Sequence, residues 1–421
     1  MLLAHIVAAA LPLCDFAPRM MAQRLDTEHV ASVRPPATER LDSTLYPLTV
    51  QFPAAVDPAY AALILHHAET AWRVIVEEKG FLPPHADGEL GGDARFDVYI
   101  ATDLTPGVGG YAGFSGYNDA TPRADAVGYL VIANALEPRL IRFVVAHEFF
   151  HASQMAYDWW EDMAFMEGSA TWIADHVSDD EDIYWRYFPF FNAEPFKATD
   201  FVSIMSPYQY GSAMFSLFLD ERFGHGDTAF VRTTWEGLTQ DGYDNEPDFL
   251  DVVTAQLAAQ DTTLGAAYEE FGVWRLLVGT RARFGRFEEV GVWDARVDPW
   301  FDARVTGQVA HWQGVSRQGL QPWSHGFLAL DGTTIPGQFR LTSGGGVAMS
   351  LQLVDLSGDV AAITRLGELG AAGGDLTVSL PAAARAGERV LIITNHGDGR
   401  YDADTSPWTP TAYSFEFTAN P

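Results

Sequence analysis

The chain has 421 residues, of which 48% are hydrophobic, 13% aromatic and 19% charged, enough apolar side chain for two or three domains with cores of their own. Its 26 Lys and Arg stand against 56 Asp and Glu, and a net charge of −30 repels phosphate backbones and anionic lipid surfaces, so nucleic acid and polybasic membrane anchoring are excluded as partners while cations are not. Cys14, the single cysteine, rules out an internal disulfide framework and a cysteine-based structural zinc site, leaving His and carboxylates to bind any metal.

In chain order, residues 2–13 are apolar except for His5, too short to span a bilayer and without a basic start. This stretch reads as an atypical export signal, pointing to a secreted or cell-envelope protein. Residues 15–45 contain Pro18, Pro35 and Pro36 and no sustained period, so 1–45 as a whole reads as leader and linker. Asp57-Pro58 opens a helix whose apolar positions repeat to Lys79, with Gly80 as its stop. Arg95–Ala101 and Val127–Ala133 read as strands, and the Gly- and Tyr-rich segment 105–121 between them reads as a surface loop, or a mobile loop over a groove. No Lys-Ser/Thr follows its glycines, so it is not a phosphate loop. Helices are expected from Pro138 through Met155, over 163–177 and 208–223, and in three further stretches to residue 280. Beyond residue 300, short β runs separated by Gly, Asp and Pro turns predict a β-sandwich. No stretch reads as an integral membrane segment. The acidic run Asp398–Asp404 has spacing that can hold Ca²⁺ but lacks an EF-hand pattern, and a solvated turn is its default reading.

The chemistry concentrates in His147-Glu148-Phe149-Phe150-His151. On a helix, positions 147 and 151 lie one turn apart on one face, so both imidazoles can reach one metal ion, and Glu148 is angularly adjacent, able to address a water there without being a ligand. Val145 and Phe149 face the other way as core anchors. A catalytic zinc site needs a third protein ligand. Tyr157 stands where an extended three-histidine pattern would place it, so that pattern is excluded. Glu167, 16 residues after His151, can point back at the His pair if the chain turns near 157–162, and small residues at 168, 170 and 174 would let the two helices approach. Asp158, Asp162, Asp175 and His176 compete for that role.

The sequences Ala146-His-Glu-Phe-Phe-His-Ala152 and Glu167-Gly-Ser-Ala-Thr-Trp172 resemble the gluzincin branch of zinc metallopeptidases, above all a group of exported bacterial metalloproteases. The similarity runs over about 46–274 and takes in the strand 96–100 and Tyr210-Gly-Ser-Ala-Met-Phe215. It implies one zinc ion on His147, His151 and Glu167, with Glu148 as catalytic acid and base, cleaving peptide bonds of a protein or peptide substrate. Where thermolysin-like chains often place an Asp supporting a ligand His, Thr171 stands here, so Asp175 or a backbone carbonyl is the candidate support. Gluzincins commonly add a downstream Tyr or His for the oxyanion. Tyr210 is the candidate, Tyr208 the neighbouring alternative, and a Tyr packed at a helix start the plain one.

The expected architecture is an α/β (α+β) zincin-like metalloprotease domain over 46–300, with an N-terminal lobe (46–160), a helical lobe (161–300) and a cleft between them, followed by a β-sandwich over 301–421. The expected function is secreted zinc endopeptidase. The rivals are an adhesion or carbohydrate-binding protein with a structural zinc ion, and a metal-dependent cell-wall amidase.

Overall fold

The computed structural model describes residues 13–25, 31–203, 205–243, 246–331, 336–383, 385–398, 401–403 and 405–420. The chain is an α+β protein with a β-rich C-terminal region, and its backbone gathers into two compact units. One unit runs to Phe188 and takes in 202–256; the other comprises 189–201 and everything from Leu257 onward. The division therefore falls inside the expected helical lobe, well before residue 300.

The first unit is built on a six-stranded sheet in the order β1-β5-β6-β4-β3-β2. The strands are β1 (Leu13–Cys14), β2 (Glu39–Asp42), β3 (Leu48–Phe52), β4 (Phe96–Ala101), β5 (Val108–Tyr117) and β6 (Ala126–Ala133). β3, β4 and β6 are parallel, β5 runs antiparallel to β6, and β1 adds parallel to β5. The expected loop 105–121 is thus mostly a strand. Its glycines mislead because strand interiors rarely tolerate them, yet here Gly110 and Gly113 make room for a neighbour. A Cβ on Gly113 would lie 2.3 Å from the Tyr129 ring, and one on Gly110 would lie 2.9 Å from Cγ of Glu148.

The helices of this unit are α1 (Phe16–Leu25), α2 (Pro58–Ala71), α3 (Pro138–Met155), α4 (Met163–Ser178), α5 (Tyr208–Gly211), α6 (Ala213–Phe223), α7 (Ala229–Gly237) and α8 (Phe249–Ala259), the units dividing within the last. Asp57 caps α2 by accepting from Ala59 N at 2.9 Å, as the Asp-Pro start predicts, and the helix runs on through a wider turn, Trp72–Glu78, to Gly80 at φ +78°. From Phe143 to Met155, α3 is buried on every face. Phe149 meets Trp72 and Phe96 edge-on, with ring centroids 5.9 and 6.0 Å apart. This helix is therefore held between the sheet and its neighbours, and cannot tilt without breaking a core.

The segment read as leader and linker is bound into this unit where it is described; residues 1–12 and 26–30 lie outside the described residues. Phe16, Ala17 and Met20 of α1 are buried, and burying side chains the size of Phe and Met is worth about 1.5–3 kcal/mol each. Arg24 donates to the carbonyls of Trp159 and Glu161 at 2.6 and 2.7 Å. Arg34 pairs with Asp87 at 2.6 Å and with Asp97. The polar residues that read as solvated linker are the ties that hold it.

In the second unit, nine strands form two sheets, β13-β10-β15-β8 and β12-β11-β14-β9-β7. They are β7 (Ala303–Thr306), β8 (His311–Val315), β9 (Ser324–Asp331), β10 (Gly337–Ser343), β11 (Met349–Asp355), β12 (Ala362–Leu369), β13 (Gly374–Leu380), β14 (Arg389–Asn395) and β15 (Tyr413–Ala419). Phe339, Leu341, Phe415 and Phe417 of one sheet share a core with Leu328, Leu351, Leu353 and Ile393 of the other. The helix α9 (Leu264–Leu276) belongs here as well, with Val273 and Leu276 packed among Phe327, Val390 and Ile392. Its apolar face needs that sheet, which is why the boundary lies before it.

Candidate metal centre

The α3 periodicity brings His147 and His151 to one face with their Nε2 atoms 3.1 Å apart. The turn after α3 closes through Asp158 N to Gln154 O at 3.0 Å, and α4 starts at Asp162, whose carboxylate accepts from Phe165 N at 2.7 Å. Glu167, five residues into the helix from that cap, lies one turn along α4. Its Oε2 is 3.1 Å from His147 Nε2 and 3.4 Å from His151 Nε2. All three side chains are buried, as is Glu148.

Three such atoms, two imidazole nitrogens and a carboxylate oxygen, facing one another so closely are a donor set that a cation can share. The tautomer of His151 shows why. Gln154 donates its amide to Met166 O at 2.9 Å and Ser169 Oγ at 3.1 Å, so its Oε1 faces His151 Nδ1 at 2.7 Å and takes the proton there. Nε2 of His151 is left with a lone pair aimed at His147 and Glu167. Metal–ligand lengths of about 2.0–2.3 Å put tetrahedral ligand atoms about 3.3–3.6 Å apart; the His151–Glu167 separation of 3.4 Å falls in that range, and the two of 3.1 Å are slightly shorter. Two imidazoles and a carboxylate suit zinc. For His151, then, the orienting partner is Gln154 rather than Asp175 or a backbone carbonyl. Gln154 stands where the extended H-E-x-x-H-x-x-G-x-x-H pattern has Gly, a position with no expected role on sequence alone.

Electrostatics follow the same geometry. Burial pushes the Glu167 carboxyl up, but His151 and His147 more than reverse this and hold it at about 2. Burial lowers His147, partly opposed by Glu167. Glu148 is pushed well above the ordinary carboxyl range, chiefly by burial and then by the charge of Glu167. Two of the competing acids, Asp158 and Asp162, have other work, and Asp175 lies in a separate group that includes Asp179. Asp162 is the α4 cap, and Asp158 holds Trp160 N at 2.8 Å, with burial raising its carboxyl to about 6. His176 is lowered to about 4 by burial and lies edge-on to Trp172. Tyr157 accepts from Leu82 N at 2.7 Å and is a packing residue.

Tyr210 reaches this centre: its ring lies 5.9 Å from that of His147, and its hydroxyl, kept protonated by burial, donates to a backbone carbonyl at 2.9 Å. Tyr208 is fully buried two positions before it. The glycine expected to let α3 and α4 approach does something else. A Cβ on Gly168 would meet Ser212 Oγ at 2.3 Å and Ala213 N at 3.2 Å, so it seats α4 against the corner that carries Tyr210.

Cys14, set aside on sequence grounds, is in this cluster. Its Sγ, both imidazoles and Glu167 each offer a ligand atom, all within 4.8 Å of one another. The thiol also meets Glu148 Oε2 at 3.2 Å. The exclusion rested on counting cysteines for an all-sulfur site, and a single thiol beside two His and a Glu makes a mixed one. The candidate calcium run gains no such support: Asp402 caps its own turn, accepting from Thr405 N at 2.8 Å, and residues 399, 400 and 404 lie outside the described residues.

No protein-family model and no curated protein sequence matches the chain. Among solved structures, it is similar to the CBM22-1–GH10 modules of a Clostridium thermocellum endo-1,4-β-D-xylanase, with 14% identity and a TM-score of 0.16, covering 22% of this chain and 18% of that one. It is also similar to the pre-peptidase C-terminal domain of a collagenase from Bacillus anthracis, with 12% identity and a TM-score of 0.17, covering 29% of this chain and 99% of that one. TM-scores this low fix neither fold nor function.

Proposed function

We propose that the first unit is a zinc-dependent hydrolase of peptide bonds, with a zincin-like arrangement of sheet, α3 and α4. The observation that carries the reading is the convergence of His147 Nε2, His151 Nε2 and Glu167 Oε2 at 3.1–3.4 Å, with Glu148 on the next helical position. A zinc ion bound there would supply Lewis acidity, acidifying water to a pKa of about 7 and polarising the scissile carbonyl. The protein's own groups do the rest. Glu148, its proton affinity raised by burial, takes the proton from the attacking water and returns it to the leaving amine. Tyr210 donates to the carbonyl oxygen as negative charge builds on it. β5, next to Glu148, would offer backbone donors and acceptors to an extended peptide in place of the two-residue β1 that pairs with it.

The test measures zinc content and peptide cleavage for wild type and Glu148→Gln. Each is expected to hold one zinc ion per chain, and the variant to cleave at least ~100-fold more slowly, the usual scale of general acid–base catalysis. A chain that retains no zinc sinks the reading, as does cleavage at the same measurable rate by both proteins.

A further inference from the structure

The residues around Cys14 occupy every feature that the reaction requires to be open. Its thiol lies with the three candidate ligands and against Glu148. Its carbonyl oxygen accepts from Tyr210 Oη at 2.9 Å, the donor assigned above to a substrate carbonyl. Leu13 and Cys14 pair with Val108 and Gly110 along β5, and Asp15 N donates to Gly110 O at 3.0 Å, so the edge open to a peptide is already filled. Phe16 stacks on His151 with ring centroids 4.0 Å apart and planes 16° from parallel. The space left between Cys14, His147, Glu148, Tyr187 and Tyr210 is about 10 Å³, room for one water and for no substrate.

We infer that Cys14 Sγ is the fourth ligand of the metal, and that residues 13–16 lie along the substrate path in the manner of a bound peptide, so that the chain is latent while they are in place. The inference rests on the metal-centre reading above and adds its regulation. A site of two His, one Glu and one Cys is four-coordinate and closed, whereas a hydrolytic site keeps one position open. Opening is a ligand exchange: the thiolate leaves with a proton as the thiol, and water takes its place. No oxidant or reductant is consumed. Arg19, which pairs with Asp15 at 2.8 Å and lies 3.6 Å above the Tyr111 ring, and Arg24 on the carbonyls of Trp159 and Glu161 clip the helix that follows, so the plug is anchored beyond the thiol.

X-ray absorption at the zinc edge of the 421-residue chain is expected to show one sulfur neighbour at about 2.3 Å beside nitrogen and oxygen at about 2.0–2.2 Å. Cys14→Ala is expected to keep one zinc ion, lose the sulfur shell and cleave peptide at least tenfold faster than wild type. Cys14→Ser, closer in size, controls for packing, and circular dichroism reports folding of both. If the unaltered chain is silent in hydrolysis, Glu148→Gln is compared on the Cys14→Ala background. Zinc bound without sulfur overturns the inference and leaves the metal centre standing. Sulfur-ligated zinc with no gain in cleavage by either folded variant also overturns it, assigning a structural ion instead. Absence of zinc removes both readings.

Discussion

At the residue scale, Gln154 shows what a ligand set needs around it. The imidazole of His151 can offer Nε2 to a cation only if its proton sits on Nδ1, and the Gln154 amide is locked into accepting that proton by Met166 O and Ser169 Oγ. Gln154→Ala is therefore expected to weaken zinc affinity about 10–100-fold, read by chelator competition, with little effect on fold. An unchanged affinity would show that the lone pair is oriented by other means. The pattern His-Glu-x-x-His places its three polar side chains by helix geometry alone, and they stand where that geometry puts them. Gln154 carries no such mark, since its partner Ser169 is 15 residues away on another helix.

At the scale of elements, two glycines set distances that decide the site. Gly110 lets the Glu148 side chain lie against β5, and a Cβ there would also press on Val131 O at 2.8 Å. Gly168 lets α4, the carrier of Glu167, seat against the corner that carries Tyr210. Ser212 Oγ cannot simply swing away, because its one proton is held between Ala164 O and Gln209 O, at 3.0 and 2.6 Å. Gly168→Ala gains about 1 kcal/mol in helix propensity but overpacks this contact, which costs about 1–3 kcal/mol. The clash is expected to win, with a lower denaturant midpoint and slower cleavage as Glu167 and Tyr210 move apart. A raised midpoint would show that the corner yields. The start of α2 at Asp57-Pro58 was legible in advance, since a cap is local chemistry, whereas Asp162, the cap of α4, stood in the sequence only as a competing ligand beside the expected helix. The glycine-rich strand β5 was not legible either, because its glycines answer to neighbours on other elements.

At the scale of the whole molecule, the second unit carries a titration of its own. His325 is fully buried between Tyr268 O, at 2.8 Å from Nε2, and Arg275, whose Nη1 is 3.4 Å from Nδ1. Burial, with help from Arg275, lowers its imidazole to about 3. The unfolded chain takes up a proton near pH 6.5 and the folded one only near 3, so stability is complete above about 6.5 and falls with acid between the two, by at most about 1.4 kcal/mol per pH unit. His325→Gln keeps a donor for Tyr268 O and does not titrate. Denaturant unfolding at about pH 7 and about pH 5 should show a shallower acid loss in the variant than in wild type, and equal losses would refute the account. The net charge of −30 acts over the same scale, and among the described residues no helix is long and apolar enough to cross a membrane.

Periodicity, caps and turn residues are properties of neighbours in sequence, and they were enough to place the motif helix, a carboxylate 16 residues beyond it and a β-rich C-terminal region. Everything set by contacts between distant residues needed the folded chain. Cys14 lies 134 positions from Glu148, and no local pattern links them. Residues 189–201 join the second unit across an intervening stretch of the first, and the segment before residue 45 is held by arginines whose partners come from other parts of the chain. Polar composition made that segment look like a linker. Its hydrogen bonds, closed only on folding, put it over the candidate metal centre.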